Sequence, residues 1–218
     1  LPDDPLAFVA DQLDALADAS VRPGINVRSA TPERVREAAR ICADRGAVCE
    51  VNAHCRQPEL RAVGCGESLL REPDRLARYV AAAAETGATT SVKVRAEVPG
   101  VDLVAVAERV AAAGADWLHV DAMDTEAVIA DLAAAVDAAP AGGPADSLAD
   151  LTIVANNGVR GRETVAEYAA HGADAVSVGR PTEDPPVLAR VADAVEEWRA
   201  GRLRRLTGEA GSEPGARP

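Results

Sequence analysis

A single lysine, Lys93, lies in the apolar segment SVKVRAE at 91–97, whereas the other 22 of the 23 Lys and Arg side chains are arginines. A lysine ammonium is a compact charge on a flexible stem, and the planar guanidinium of arginine does not reproduce it. Because Val92 and Val94 flank Lys93 in a predicted strand, a surface role is less favoured than a functional one. We interpret Lys93 as a catalytic or ligand-binding cation.

Cys55 is the second candidate for chemistry, at the end of the segment EVNAHC at 50–55. Its neighbours His54 and Arg56 are basic, and such neighbours make a thiol a competent proton donor or nucleophile. Cys42 and Cys49 occupy apolar positions of a predicted helix and a predicted strand, so we expect them in the core. The sequence therefore selects Cys55 as the catalytic thiol.

The cysteine spacing indicates neither disulfides nor a metal site. Cys42, Cys49, Cys55 and Cys65 form no CxxC pair and no zinc-ribbon spacing, even with His54 included. Reduced thiols are typical of the cytoplasm, and the sequence contains neither a signal peptide nor an apolar run of about 20 residues. We predict a cytoplasmic protein with no metal, no membrane segment and no evident stable protein partner.

Further polar residues recur at the predicted carboxyl ends of strands. They are Asn52, Lys93 and Arg95, His119 and Asp121, the triplet Asn156, Asn157 and Gly158, and the pair Gly179 and Arg180. In a βα barrel, chemistry is located where the strands end. Loops like the last two cradle a phosphate with backbone N–H groups, and an arginine adds a fixed positive charge. We therefore predict a phosphate site at 156–158 and 179–180, with ordinary turns as the alternative.

The elements that must position these residues follow a repeating unit, in which a helix ends at Gly-Ala and a short apolar strand follows. Gly46, Gly87, Gly114 and Gly172 mark the four clearest repeats. We predict strands at about 25–28, 47–52, 90–96, 116–121, 151–156 and 174–178. Helices are predicted between them, and at 5–18, 32–45 and 184–200. Residues 139–150 are predicted to be a loop insertion.

Six βα units are compatible with two α/β architectures. An open doubly wound sheet is one, but no GxGxxG or GxxxxGK[ST] motif follows a strand. The other is a (β/α)8 TIM barrel lacking its first two βα units, since two more units of about 30 residues would bring the length near the roughly 250 residues of that fold. We favour the truncated barrel, partly because the chain begins at Leu1 rather than Met. The barrel domain is expected to span 1–205, and 206–218 to be a disordered tail.

Composition limits the classes of function. The net charge is −12 and aromatic residues make up 2% of the chain, which argues against a nucleic-acid surface built from basic patches and stacking rings. An acidic, alanine-rich and almost lysine-free composition is typical of a high-GC genome or of a salt-rich cytoplasm. We favour a halophile as the source.

Six segments, in this order, resemble the tRNA-dihydrouridine synthases, which are FMN-dependent TIM barrels related to dihydroorotate and dihydropyrimidine dehydrogenases. The segments are VNAHC (51–55), GCGESLLREP (64–73), VKVR (92–95), LHV (118–120), IVANNGV (153–159) and AVSVGRP (175–181). The resemblance extends from about residue 25 to 190 and is nearest to an archaeal branch of that group. It implies an oxidoreductase that uses FMN, with NADPH or NADH as reductant, to convert uridine in tRNA to 5,6-dihydrouridine.

The resemblance also implies roles for individual residues. Lys93 would stabilise negative charge at the N1–C2=O edge of the reduced flavin, and Cys55 would protonate C5 of the uracil ring. The FMN phosphate would be bound by Asn156, Asn157, Gly158, Gly179 and Arg180. Asn52 and Arg95 would contact the flavin or the pyrimidine, and His119 would line the flavin pocket.

Two motifs depart from the family pattern. The usual Gly-Cys-Pro is His54-Cys55-Arg56, and the usual His-x-Arg-Thr is His119-Val120-Asp121-Ala122, so an expected arginine is an aspartate. After residue 200 the only basic run is RLRR at 202–205. Three alternatives therefore stay open: a dihydroorotate or dihydropyrimidine dehydrogenase type of enzyme acting on a free pyrimidine, a non-redox phosphate-binding barrel (an aldolase or isomerase using Lys93 as a Schiff-base nucleophile), and a degenerate fragment that binds nothing.

Overall fold

In the computed structural model, which describes residues 3–140 and 146–203, six parallel strands alternate with α-helices. The strands are β1 (Gly24–Val27), β2 (Val48–Asn52), β3 (Thr89–Arg95), β4 (Trp117–Asp121), β5 (Thr152–Asn156) and β6 (Ala175–Ser177). The helices are α1 (Pro5–Asp14), α2 (Pro32–Ala43), α3 (Pro58–Ala62), α4 (Pro73–Ala84), α5 (Leu103–Ala112), α6 (Val128–Ala138), α7 (Asp146–Ala149), α8 (Arg162–Ala170) and α9 (Pro185–Arg199). Two 3₁₀ helices lie at Gly66–Arg71 and Arg180–Glu183.

The strands are hydrogen-bonded in the order of the chain, β1-β2-β3-β4-β5-β6, and every pair is parallel. A doubly wound sheet reverses its strand order at a switch point, whereas a βα barrel adds each strand beside the preceding one. Among the described residues no pairing joins β1 to β6, so the sheet is a sector of a barrel rather than a closed one. The expectation of a partial TIM barrel is confirmed.

The repeating unit predicted from the sequence forms as expected. Gly46, Gly87, Gly114 and Gly172 have φ angles of 64°, 81°, 95° and 91°, the left-handed conformation in which glycine ends a helix at little steric cost. Each of these glycines is followed within three residues by a strand. The turn thus sends each helix directly back into the sheet.

Three sequence expectations need correction or stay open. The predicted strand bounds agree with the structure to within one residue, but the predicted loop at 139–150 contains α7, a short helix that a Gly- and Pro-rich segment conceals. The predicted helix at 5–18 ends earlier, at Asp14. The predicted tail at 206–218 lies outside the described residues.

The two faces of the sheet differ in chemistry, because strand side chains alternate. Val51, Val92, Leu118 and Ile153 face the helices and are buried in the apolar core. The opposite face carries polar side chains in levels fixed by the strand register. Asn52, Lys93 and His119 are partners across β2, β3 and β4, and Arg95, Asp121 and Asn156 form the next level towards the strand ends. Most of the polar residues singled out from sequence therefore share one face.

Candidate active site

Lys93 and His119 meet on the polar face of the sheet, opposite the helices, which is the inner face of the barrel sector. The Lys93 Nζ lies 3.5 Å from the Nε2 of His119, and the Nδ1 of His119 lies 2.8 Å from the Oε2 of Glu50. Lys93 is half-buried, and the side chains of His119 and Glu50 are 13% and 17% exposed. A cation, a ring and a carboxylate therefore form one row across β3, β4 and β2.

Glu50 is a residue that the sequence analysis missed. Its Oε1 accepts a hydrogen bond from the Asn26 amide at 2.7 Å, and its Oε2 accepts one from the Ser91 hydroxyl at 2.9 Å. Burial alone would raise the pKa of Glu50, but the hydrogen bond with His119, together with those from the two other donors, lowers that pKa to about 2. Glu50 is therefore an ionised carboxylate inside the barrel sector.

Asn52 shapes the start of the loop that contains Cys55. Its Oδ1 accepts hydrogen bonds from the backbone N–H groups of His54 and Cys55, at 3.1 and 2.9 Å, and its Nδ2 donates to the Oδ1 of Asn26 at 2.8 Å. The thiol of Cys55 donates to the Oε1 of Gln57 at 3.4 Å. Asn52 thus links the cysteine loop to the inner face of the sheet.

Gly66, in the GCGES segment, closes the other side of the cysteine loop. Its φ angle is +60°, and a Cβ atom at this position would overlap the carbonyl oxygen of Cys55. The next residue, Glu67, donates its backbone N–H to that carbonyl at 2.9 Å. The carboxylate of Glu67 also binds the Nε of Arg56 at 3.1 Å. Only glycine fits here without displacing the loop.

The four cysteines differ in accessibility, and Cys42 and Cys49 lie in the core as predicted. Cys42, Cys49 and Cys65 are buried, and Cys55 is the partly exposed one. A hydrogen bond with Cys42, together with burial, raises the pKa of Cys49, and burial raises the pKa of Cys65. Cys55 is therefore the thiol open to chemistry.

Asp121 connects the cysteine loop to the loop after β5. Its Oδ2 lies 2.5 Å from the Nε2 of His54, and its Oδ1 accepts a hydrogen bond from the Asn157 amide at 2.8 Å. Burial would raise the pKa of Asp121, but these partners and the nearby Arg95 hold it well below its ordinary value. The two positions that depart from the family motifs, 54 and 121, thus contact each other. The sequence could not predict this pair, because 67 residues separate its members.

Arg95 is buried at the same level as Asp121. Its Nη2 donates to the carboxylate of Glu97 at 3.1 Å, and its Nη1 lies 4.0 Å from the Oδ2 of Asp121. Its Nε is buried and has no hydrogen-bond partner. Among the buried side-chain nitrogen and oxygen atoms of residues 3–140 and 146–203, it is the one atom in this state. An unpaired buried donor of this kind costs free energy unless a ligand accepts from it.

The predicted phosphate-binding residues line one cavity. This cavity, of about 680 Å³, is bordered by Asn156, Asn157, Gly158, Gly179 and Arg180, together with Asp121 and Arg160. Neither Gly158 nor Gly179 has an atom within 4 Å of the position that a Cβ would occupy, so both present open backbone to the cavity. The structure therefore places the two predicted loops at one site.

Tyr168 holds the backbone of the first of these loops. Its hydroxyl donates to the carbonyl oxygens of Asn156 and Asn157, at 3.3 and 2.9 Å. Burial raises the pKa of Tyr168 to about 12, so the hydroxyl keeps its proton and remains a donor. Asn157 has a φ angle of +99°, an uncommon conformation for a residue other than glycine. The turn is thus fixed by contacts from α8.

Comparison with known proteins identifies the family. Residues 23–206 match the family described as Dihydrouridine synthase (Dus). The chain belongs to the dihydrouridine synthase family. This confirms the resemblance drawn from the six motifs.

Other similarities of this Dus-family chain are more distant. An uncharacterized protein of Methanocaldococcus jannaschii is 24% identical over 89 residues, which are 41% of this chain and 34% of that protein. Two crystal structures of DHODH from Eimeria tenella share the fold. The complex with ferulenol has a TM-score of 0.58 at 14% identity and the ligand-free form 0.61 at 15%, with 90% and 91% of this chain covered. The chain covers 63% and 68% of those two DHODH chains, and about a third of the archaeal relative is aligned.

The residues present fit the phosphate of FMN, the cofactor of the Dus family. The cavity lined by Asn157, Gly158 and Arg180 offers open backbone and a positive side chain, which suit a phosphate. Lys93 lies on the neighbouring inner face. Cys55 does not border this cavity, and its loop reaches it through His54 and Asp121.

Two further findings concern metal and membrane. Among the described residues, no three His, Cys, Asp or Glu side chains are grouped so that they could hold a metal ion. None of the helices in 3–140 and 146–203 is long and apolar enough to cross a membrane.

Proposed function

We propose that this Dus-family chain forms the FMN-binding part of an oxidoreductase that reduces uridine in tRNA to 5,6-dihydrouridine. The observation that supports this most is the arrangement of Lys93, whose ammonium lies on the inner face beside His119 and at the level next to the phosphate-binding loops. Family membership over residues 23–206 supports the reaction class.

The side chains divide the work of binding and proton handling. Asn156, Asn157, Gly158, Gly179 and Arg180 would hold the phosphate of FMN. When bound, FMN supplies the hydride for C6 of the uracil ring. Lys93 would supply a positive charge that stabilises negative charge on the flavin ring. Cys55 holds on its Sγ the proton that C5 of the uracil ring takes up.

Asn52, Arg95 and His119 would contact the bound ligands. Arg95 is buried with an unpaired Nε, so it is a ready donor to a carbonyl or phosphate oxygen. Asn52 uses its side-chain oxygen to orient the cysteine loop, which makes it a positioning residue for Cys55. His119 is in contact with Lys93 and shares its level on the sheet.

A second candidate is reduction of a free pyrimidine. The net charge of −12 favours it, because a polyanion such as tRNA is repelled by an acidic protein. The same residues would carry the chemistry in both reactions. The two reactions differ in whether the reduced ring belongs to a tRNA or to a free pyrimidine.

The test is an anaerobic assay of the full chain loaded with FMN, with NADPH or NADH as reductant. One arm offers an unmodified tRNA transcript and the other offers uracil or orotate, and the product is detected by the mass of two added hydrogens. We expect dihydrouridine in the tRNA. Product only in the second arm selects the free pyrimidine, and borohydride trapping of a carbonyl substrate on Lys93 would instead select the aldolase.

Cys55→Ala is expected to retain FMN and to lose about 100-fold or more in turnover, because the proton donor for C5 is absent. Cys65→Ala is the matched control, since Cys65 is a buried thiol to which the proposed reaction assigns no step. Turnover of Cys55→Ala at the wild-type rate would contradict the assignment of Cys55 as general acid.

A further inference from the structure

Glu50 stands at the centre of a continuous hydrogen-bonded chain. On one side it contacts His119, which contacts Lys93. On the other side it accepts from Asn26, whose oxygen accepts from Asn52. Asn52 in turn accepts from the backbone N–H groups of the cysteine loop. The chain therefore joins the two groups proposed for catalysis.

We propose that Glu50 is a positioning residue that sets the donor and acceptor direction along the whole of this hydrogen-bonded chain. Through His119 it orients the ammonium of Lys93, and through Asn26 and Asn52 it orients the loop of Cys55. The effect on catalysis rests on the proposed function. The direction of the hydrogen bonds does not, since it is a property of the protein without FMN.

The direction towards Lys93 follows from what each group can donate. An ionised carboxylate only accepts hydrogen bonds, so the Nδ1 of His119, 2.8 Å from Glu50, must carry a proton. A lysine ammonium only donates, so the Nε2 of His119 must present its lone pair to the Nζ of Lys93. His119 is therefore neutral with its proton on Nδ1, and Lys93 is held by an acceptor on the ring.

The direction towards Cys55 follows in the same way. Because the amide nitrogen of Asn26 donates to Glu50, the Asn26 oxygen is left to accept from the amide nitrogen of Asn52. The Asn52 oxygen is then turned towards the backbone N–H groups of His54 and Cys55. If either amide were flipped, two donors or two acceptors would face each other.

Burial and charge support an acceptor-only Glu50. Its side chain is 17% exposed, and three donors approach its two oxygens within 2.9 Å. The lowered pKa of Glu50 agrees with an ionised carboxylate at neutral pH. Replacement by Gln would put an NH₂ group where a donor already points, and the hydrogen-bonded chain would lose its fixed donor and acceptor direction.

The amino-acid composition of the protein permits a direct test by NMR. With one lysine and three histidines in the sequence, ¹⁵N-labelled lysine gives one side-chain signal and ¹⁵N-labelled histidine gives three rings. In the FMN-free full chain at neutral pH, we expect His119 to be neutral with the proton on Nδ1. A proton on Nε2, either alone or with one on Nδ1, would overturn the proposal from the wild-type spectrum alone.

The variant Glu50→Gln tests whether Glu50 is the cause. We expect the His119 proton to move partly or fully to Nε2, the Lys93 signal to shift, and the rate of Cys55 alkylation by iodoacetamide to rise about fivefold. Glu85→Gln, on an exposed carboxylate paired with Arg36, is the matched control and should leave all three readouts unchanged.

A folded Glu50→Gln chain with an unchanged His119 tautomer and unchanged alkylation would overturn the proposal. Failure of the chain to bind FMN would leave these readouts intact and would count only against the proposed function.

Discussion

At the scale of residues, the site depends on charges buried on the inner face of the sheet. Glu50 and Asp121 are both ionised there, and each is held by polar partners from other strands or loops. Lys93 and Arg95 are the corresponding cations. These charged groups stabilise the folded chain only while they stay charged. Each loses its hydration on folding, and the interactions with its partners offset that cost.

A pH dependence of stability follows from Glu50. Its pKa falls from an ordinary 4.5 to about 2 in the folded chain, so its contribution is fully present above pH 4.5 and is lost as the pH falls towards 2. We expect the free energy of unfolding, measured with urea, to decrease by about 3 kcal/mol over that range from this group. Asp121 acts in the same direction.

The comparison with two variants isolates the contribution of Glu50. Glu50→Gln should show a shallower loss of stability in acid, while Glu85→Gln, an exposed carboxylate, should follow the wild-type curve. Parallel curves for the wild type and Glu50→Gln would contradict the buried, ionised state of this carboxylate.

Residue types predicted part of the candidate site. Lys93 was identified by its uniqueness and Cys55 by its polar neighbours, whereas Glu50 was missed although a signal existed. In the strand VCEVN, Glu50 alternates with Cys49 and Val51, which places it on the face opposite the helices. The contact between His54 and Asp121 could not be predicted, because it depends on how a loop after β2 reaches the end of β4.

At the scale of elements, the cysteine loop depends on the glycine that follows it. Gly66 combines a φ of +60° with no room for a Cβ beside the carbonyl of Cys55. We expect Gly66→Ala to lower the free energy of unfolding by about 2–4 kcal/mol and to change the alkylation rate of Cys55. Chemical denaturation and a thiol assay measure the two effects.

Gly87→Ala is the matched control for this prediction. Gly87 has a φ of +81° but no atom within 4 Å of a Cβ, so only the backbone strain applies, at about 1 kcal/mol. An equal loss of stability in the two variants would mean that the loop has space beside Cys55 and that the contact is unimportant.

Regular elements were more predictable than irregular ones. Apolar runs and helix-ending glycines located the six strands to within one residue, because these signals are local. The short helix α3 and the 3₁₀ helices at 66–71 and 180–183 were not predicted. Their conformations are fixed by contacts with other parts of the chain, such as that of Glu67 with Cys55.

At the scale of the whole molecule, the strand order decides the architecture. Six βα units suited both a doubly wound sheet and a barrel, and the structure separates the two because each strand pairs with the next one along the chain, from β1-β2 to β5-β6. This pairing is a long-range property that no local pattern encodes. It brings the ends of β3, β4, β5 and β6 together, so that the inner-face charges and the loops predicted to bind phosphate share one region.

The proposed FMN site is tested by titrating the full chain with FMN and following flavin fluorescence. We predict saturable binding of one FMN per chain, weakened about 10-fold by Arg180→Ala, because that arginine lines the cavity proposed to bind the FMN phosphate. Arg34→Ala, on the exposed face of α2, should bind FMN as the wild type does. The absence of FMN binding at all concentrations, or an Arg180→Ala variant that binds FMN as tightly as the wild type, would rule out the proposed FMN site.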